Sequence, residues 1–89
     1  MIRKPVTIIN KLGLHARAAA KLVATASEFE STIQIVKDDR EVDAKAIMPV
    51  MMLAASQGTK VELIVDGPDE EQALDRLLEL INNYFGEGE

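Results

Sequence analysis

After Pro5, the β-branched run Val6-Thr7-Ile8-Ile9 is followed by the turn residues Asn10-Lys11-Leu12-Gly13, which predicts a first strand and a loop. From Ala16 the period changes. Ala16, Ala19, Ala20, Val23, Ala26 and Phe29 recur at three- and four-residue intervals among strong helix formers, predicting a helix from about Ala16 to Ser27. Ile33, Ile35 and Val42 alternate with polar neighbours around Lys37-Asp38-Asp39-Arg40, the pattern of a hairpin of strands two and three. Ala46 to Leu53 is apolar nearly all round and too short to stand alone, so it reads as a two-turn helix leaning on the body of the protein. Pro49 is tolerated only in the first turn of that helix, which places its N-cap near Ala46. A fourth strand spans Lys60 to Val65, between the turn Gln57-Gly58-Thr59 and Gly67-Pro68. Asp69 then reads as the N-cap of a last helix, with Gln72 three residues on. Glu70 and Glu71 complement the positive helix end, and Leu74, Leu77, Leu78, Ile81 and Phe85 form one apolar stripe ending near Tyr84.

The order β-α-β-β-α-β-α, with one apolar face per element, predicts a two-layer α+β sandwich in which helices cover one side of a mainly antiparallel sheet. No internal repeat or linker divides the chain, and residues 1–89 read as a single domain with a frayed tail at Gly86 to Glu89.

With 47% apolar residues, 89 residues can fill one core. The chain has no cysteine, which removes disulfides, thiolate metal sites and cysteine nucleophiles and points to the cytoplasm. Its single histidine removes a histidine-cluster metal site, so no metal is expected. The stretch Ala44 to Ser56 is broken by Lys45 and Pro49 and falls short of the roughly 20 residues a membrane-spanning helix needs. Met1 to Asn10 lacks the cleavage site of a signal peptide. The net charge of −5 hides a gradient: residues 1–61 carry +3 and residues 62–89 carry −8. No acid precedes Glu28, while Arg3, Lys4, Lys11, Arg17 and Lys21 surround His15 in the sequence. Only Phe29, Tyr84 and Phe85 are aromatic, two of them at the acidic end, so nucleic-acid binding is not expected.

Gly13-Leu14-His15-Ala16-Arg17 is a glycine-bearing loop entering a helix, which puts His15 at or beside the N-cap. The unpaired N–H groups of the opening turn, at Ala16, Arg17 and Ala18, together with the helix dipole, attract anions and phosphate above all. Arg17 can add a forked pair of charge-assisted bonds. The positive surroundings penalise a second positive charge on the ring, so a neutral, nucleophilic imidazole is expected. These groups together suit covalent capture of a phosphoryl group on a ring nitrogen. A hydrolase would need a serine partner, and Ser27, Ser31 and Ser56 stand in no nucleophile motif.

Asn10-Lys11-Leu12-Gly13-Leu14-His15-Ala16-Arg17, with Ile47-Met48 and Val50-Met51-Met52-Leu53-Ala54, resembles the HPr family of phosphocarrier proteins over nearly the whole chain. The resemblance implies an open-faced β-sandwich: four antiparallel strands in order 1-4-2-3, with three helices on one face. It implies a carrier rather than a catalyst, and no cofactor. Enzyme I, charged by phosphoenolpyruvate, passes the group to Nδ1 of His15, Arg17 steadies it, and an EIIA protein receives it. The family often has proline where this chain has Ala18, which loosens the helix start slightly. Many relatives carry, where this chain has Ala46, the serine phosphorylated by HPr kinase; Ala46 has no hydroxyl, so that regulation is excluded. Met51-Met52-Leu53-Ala54-Ala55 and the ending Leu80-Ile81-Asn82-Asn83-Tyr84-Phe85 are similar to the nitrogen-branch (NPr) relatives. The alternatives are a sugar-branch HPr or a regulatory binding module of the same fold.

Docking against two proteins in turn calls for a small apolar patch that releases readily. Met48, Met51 and Met52 offer flexible contact surface. By analogy with the family, Ile47, Met48 and Met51 are placed on the exposed face opposite Ala20, with Val50 and Leu53 inward. Lys11, Arg17, Lys21 and Lys45 are placed around the patch, steering acidic partners. A shuttle of this kind is expected to be a monomer.

Overall fold

Val61, Leu63 and Val65 give one apolar face to a strand running Lys60–Asp66, and this strand is flanked on both sides in the sheet. The computed structural model describes residues 1–87. In chain order it contains β1 (Ile2–Thr7), α1 (Ala16–Ala26), β2 (Thr32–Lys37), β3 (Arg40–Asp43), α2 (Ile47–Met52), β4 (Lys60–Asp66) and α3 (Glu70–Asn82), then a 3-10 turn at Tyr84–Gly86. The sheet order is β1-β4-β2-β3 with every pairing antiparallel, as the family resemblance implied. Ile33 and Ile35 of β2 lie opposite Val65 and Leu63 of β4, and Val42 of β3 lies opposite Ile35, so the middle of one sheet face is apolar across β4, β2 and β3. Leu22 of α1, Val50 of α2, Leu77 and Ile81 of α3, and Phe85 close over that face, all at most 2% exposed. Among the described residues no helix is long and apolar enough to cross a membrane.

Two elements differ from the pattern-based expectation. The β-branched run puts strand one at Val6–Ile9, but the strand lies at Ile2–Thr7. It is an edge strand paired only with β4, where a proline costs little, and Pro5 sits within it opposite Glu62. Ile8 is buried by a different route, leaving the strand to exchange backbone bonds with Thr59 and Gly58. At α3, Asp69 holds the N-cap position but makes no side-chain bond to its own helix. Its carboxylate instead accepts from the N–H groups of Glu30 and Ser31, both at 2.9 Å, and from the Ser31 hydroxyl, tying the entry of β2 to the start of α3. The apolar stripe is buried at Leu77 and Ile81, with Leu74 and Leu78 half-buried against the core, while Phe85 reaches the core from the turn beyond the helix.

α2 begins at Ala46 as expected, with no side-chain cap. Its far end is held from outside. Lys37 Nζ donates to the Leu53 carbonyl at 2.9 Å, and an Arg40 N–H donates to that of Met52 at 3.0 Å, so two cations of the β2–β3 hairpin satisfy carbonyls at the negative helix end.

Two stability measurements check this account. Ala46→Ser supplies an acceptor at the bare N-cap. Because Pro49 removes the donor three residues on, only the Met48 N–H can answer, so the gain is at the low end, about 0.5 kcal/mol in urea unfolding. The Ser31 hydroxyl, followed by the Glu30 N–H, holds the Asp69 carboxyl below its ordinary value. Its stabilising contribution is therefore full above the unfolded-state value of ~4 and is lost as pH falls through the lower folded value. The Tm difference between wild type and Asp69→Asn is expected to be present at pH 7 and to shrink as pH drops below ~4. A constant difference over that range would refute the assignment.

Candidate functional site

The path from β1 to α1 is fixed by a backbone crossing. Gly13 has φ +66°, and a Cβ there would lie 2.4 Å from the Ala55 carbonyl oxygen and 2.7 Å from Ser56 Cα. Only glycine permits this approach, and it lets the Leu14 N–H donate to Ala55 at 2.8 Å while the Leu14 side chain enters the core. Asn10, fully buried, closes the loop from the other side: its carbonyl accepts from the Gly13 N–H at 3.1 Å, and its Nδ2 donates to the Gly13 carbonyl at 2.8 Å.

The chain leaves this locked loop at His15, which is the N-cap of α1 in extended conformation. Its carbonyl accepts from Ala19 and its Nδ1 accepts from the Arg17 N–H at 3.3 Å, so the imidazole is the capping group. Accepting that bond requires a lone pair on Nδ1, which leaves the ring proton on Nε2. Nε2 faces Glu87 and donates to its Oε2. The other oxygen of Glu87 accepts from Asn10 Nδ2 at 3.0 Å. The Asn10 amide above all, and then His15, hold the Glu87 carboxyl below the usual carboxylate range against the opposing effect of burial.

An open cleft of about 610 Å³ lies over the ring, between Lys11–Leu12, the His15–Arg17 turn and Gly86–Glu87. Arg17 is exposed and lines it, and among the described residues its guanidinium has no ion-pair partner. A ring nitrogen with a free lone pair, an N–H-bearing helix start and an unspent guanidinium around one cleft can bind an anion of phosphate type next to that nitrogen.

The structure brings together His15, Ala16 and Arg17 as expected. It corrects several other placements. Ala18 is fully buried, so its N–H is not at the cleft surface in this conformation. The surroundings of His15 are not uniformly positive, since Glu87 lies against the ring. The tail expected to fray at Gly86–Glu89 is built into the site at Gly86 and Glu87; residues 88–89 lie outside the described residues. Lys21 and Lys45 are half-buried and committed to backbone carbonyls, Lys21 to Phe85 at 2.6 Å and Lys45 to Phe29 at 2.7 Å. Met51, placed outward by analogy, is half-buried against the core, while Met48 and Met52 are 62% and 60% exposed. Ile47 and Leu12 are also exposed, and Ala20 lies at the surface. Asn10 read as a turn residue and Glu87 as tail; no spacing pairs them with His15, and only the return of the chain after α3 does.

Known proteins similar to this chain match it over nearly its whole length. A family profile described as "PTS HPr component phosphorylation site" matches residues 2–83. A phosphocarrier protein HPr of Cupriavidus necator is 58% identical over 89 residues, covering all of both chains. Among solved structures, HPr from Thermoanaerobacter tengcongensis superposes with a TM-score of 0.94 at 49% identity, covering 98% of each chain. A structure described as an HPr dimer from the same organism gives 0.79 at 51% identity over 92% of this chain and 94% of that one.

Gly13→Ala is expected to lose about 1–2 kcal/mol from the left-handed backbone alone and more from the collision with Ala55. In urea unfolding a loss under ~1 kcal/mol would show that the loop does not depend on this crossing.

Proposed function

We propose that this chain, which belongs to the HPr family of phosphocarrier proteins of the phosphotransferase system, takes a phosphoryl group onto Nδ1 of His15 and hands it on unchanged. The observation that carries the reading is the orientation of the ring, whose Nδ1 lone pair is aimed at the start of α1 beside Arg17. In the uptake step that lone pair attacks phosphorus. The Nδ1–P bond forms as the donor's bond to phosphorus breaks, and the electron pair stays with the donor. The Arg17 N–H, released from Nδ1, turns to a phosphoryl oxygen, with the Ala16 N–H and the Arg17 guanidinium beside it. Delivery runs the same motion backwards. The residues are consumed and restored once per passage, so the protein is a carrier, not a catalyst, and the group is held covalently with no cofactor.

The donor in this reading is enzyme I and the acceptor an EIIA protein. The run Met51 to Ala55 and the ending Leu80 to Phe85 support an acceptor of the nitrogen branch, with a sugar-branch EIIA as the alternative. Exposed Ile47, Met48, Met52 and Leu12, with Ala20, supply the apolar contact for both partners in turn, and Arg17 and Lys11 supply charge at its edge. Lys21 and Lys45 contribute to the field there but not as free arms. Ala46 offers no hydroxyl for modification. The carrier is taken to work as a cytoplasmic monomer, which sedimentation at working concentration tests.

Incubation with enzyme I and phosphoenolpyruvate should add one phosphate, acid-labile and alkali-stable. His15→Ala should abolish it, and Arg17→Lys, losing the forked geometry, should slow uptake about ten-fold. An unchanged mass for the wild type, or an adduct that survives His15→Ala, overturns the reading. Transfer rates to sugar-type and nitrogen-type EIIA proteins decide the branch.

A further inference from the structure

The residues after α3 turn the wrong way for an ordinary chain. Tyr84, Phe85 and Gly86 have φ of 55°, 52° and 76°, three successive left-handed residues of which two carry large side chains. Such a run is unfavourable for L-residues and persists only where the surroundings enforce it. Three contacts enforce it here. The Phe85 ring is fully buried in the core, Lys21 Nζ of α1 donates to the Phe85 carbonyl at 2.6 Å, and the Glu87 N–H closes the turn on the Tyr84 carbonyl at 2.8 Å. A Cβ on Gly86 would come within 3.1 Å of that same Lys21 Nζ. The result of the turn is the position of one carboxylate. Glu87, with a side chain only 12% exposed, is placed between Asn10 Nδ2 and His15 Nε2. Asn10 spends both amide hydrogens on this loop and on Glu87, leaving its own buried Oδ1 without a partner among the described residues, a further cost accepted for the same contact.

Resting on the phosphocarrier reading, we propose that Glu87 is a further positioning residue of the relay, acting through the His15 ring. Its carboxylate fixes the ring proton on Nε2 so that Nδ1 is the nucleophile, and it faces the positive charge that the ring acquires once Nδ1 is phosphorylated. Lys21, Asn10 and the left-handed turn are its positioning groups. The chemistry balances without another reactant. Neutral imidazole with its proton on Nε2 gains the phosphoryl group at Nδ1, the donor keeps the electron pair of its broken bond, and the proton stays on Nε2 between ring and carboxylate. The arrangement has the logic of a carboxylate that orients a histidine from behind while the opposite nitrogen does the chemistry.

The test uses the intact chain with ¹⁵N-labelled histidine. In wild type the ring nitrogens should report a proton on Nε2; in Glu87→Gln the two tautomers should mix, and phosphoryl uptake from enzyme I should slow about ten-fold, the size expected for losing one charged hydrogen bond. Glu87→Asp should recover part of both effects. Gly86→Ala, which touches neither ring nor carboxylate, should give the Glu87→Gln signature because it displaces the turn. An unaltered tautomer and unaltered uptake in Glu87→Gln overturn the proposal, as does loss of rate with no change in the ring nitrogens. A wild type that takes no phosphate defeats the carrier reading instead, and the ring-nitrogen comparison, made without phosphate, still decides whether Glu87 sets the tautomer.

Discussion

The hydrogen bond from the Arg17 N–H to His15 Nδ1 joins fold and chemistry at one atom. An N-cap ordinarily satisfies a backbone donor with an oxygen that does nothing else. Here the acceptor is the ring nitrogen that the proposed transfer uses, so α1 cannot start in this register without aiming that lone pair at its own first-turn N–H groups. In the proposed transfer the cap is also temporary: with phosphorus on Nδ1, the donor that held the ring would meet an anionic oxygen in the same direction. On that reading the ring is oriented by a bond that the product would take over, so little would have to be rebuilt between the empty and loaded forms.

That start is fixed in space by the crossing of Gly13–Leu14 over Ala55, which ties the entry to α1 to the exit of α2. α2 is in turn held at its far end by Lys37 and Arg40 from the β2–β3 hairpin. The exposed Met48 and Met52 are therefore displayed from a six-residue helix too short to persist alone, but tethered to the same frame as His15. A docking partner that recognises the methionines meets the imidazole at a set distance, while the methionine side chains supply the give that two different partners need.

Much of this was legible in the residues. Three-residue spacing found α1 and α3, alternation found β2, β3 and β4, and Pro49 with the apolar run found the limits of α2 because proline has so few places in a helix. What failed did so for identifiable reasons. β1 lies at an edge, where half the ladder is unpaired and polar residues such as Arg3 and Lys4 are tolerated, so alternation is a poor guide to its limits. Asp69 has the residue type of a cap, but its carboxylate was taken by Ser31 and Glu30, a choice made by tertiary packing that local propensity does not contain. In the site, Gly13, His15 and Arg17 could be read together because they are adjacent; Asn10 and Glu87 are 77 residues apart, and Glu87 follows left-handed residues that no helix-ending rule anticipates. Family analogy put Met51 outward, and the burial of one helix face by β3 and the core put it half inside.

A carrier has to take its cargo and lose it, and the charges around His15 suit that better than a purely positive pocket would. In the proposed relay Arg17 and the start of α1 would attract the phosphoryl oxygens, while the Glu87 carboxylate on the other side of the ring is held in its ionised form by Asn10 and His15. A second dianion-binding cation in that place would deepen the hold on the phosphoryl group, making uptake easy and delivery slow. A carboxylate there acts through the ring instead: it favours the protonated Nε2 that a departing phosphoryl group leaves as neutral imidazole, while its charge adds no attraction for the oxygens themselves. Attraction supplied at the oxygens and compensation supplied at the ring would bring the loaded and empty forms of the proposed relay closer in energy, the condition for a group to move in either direction.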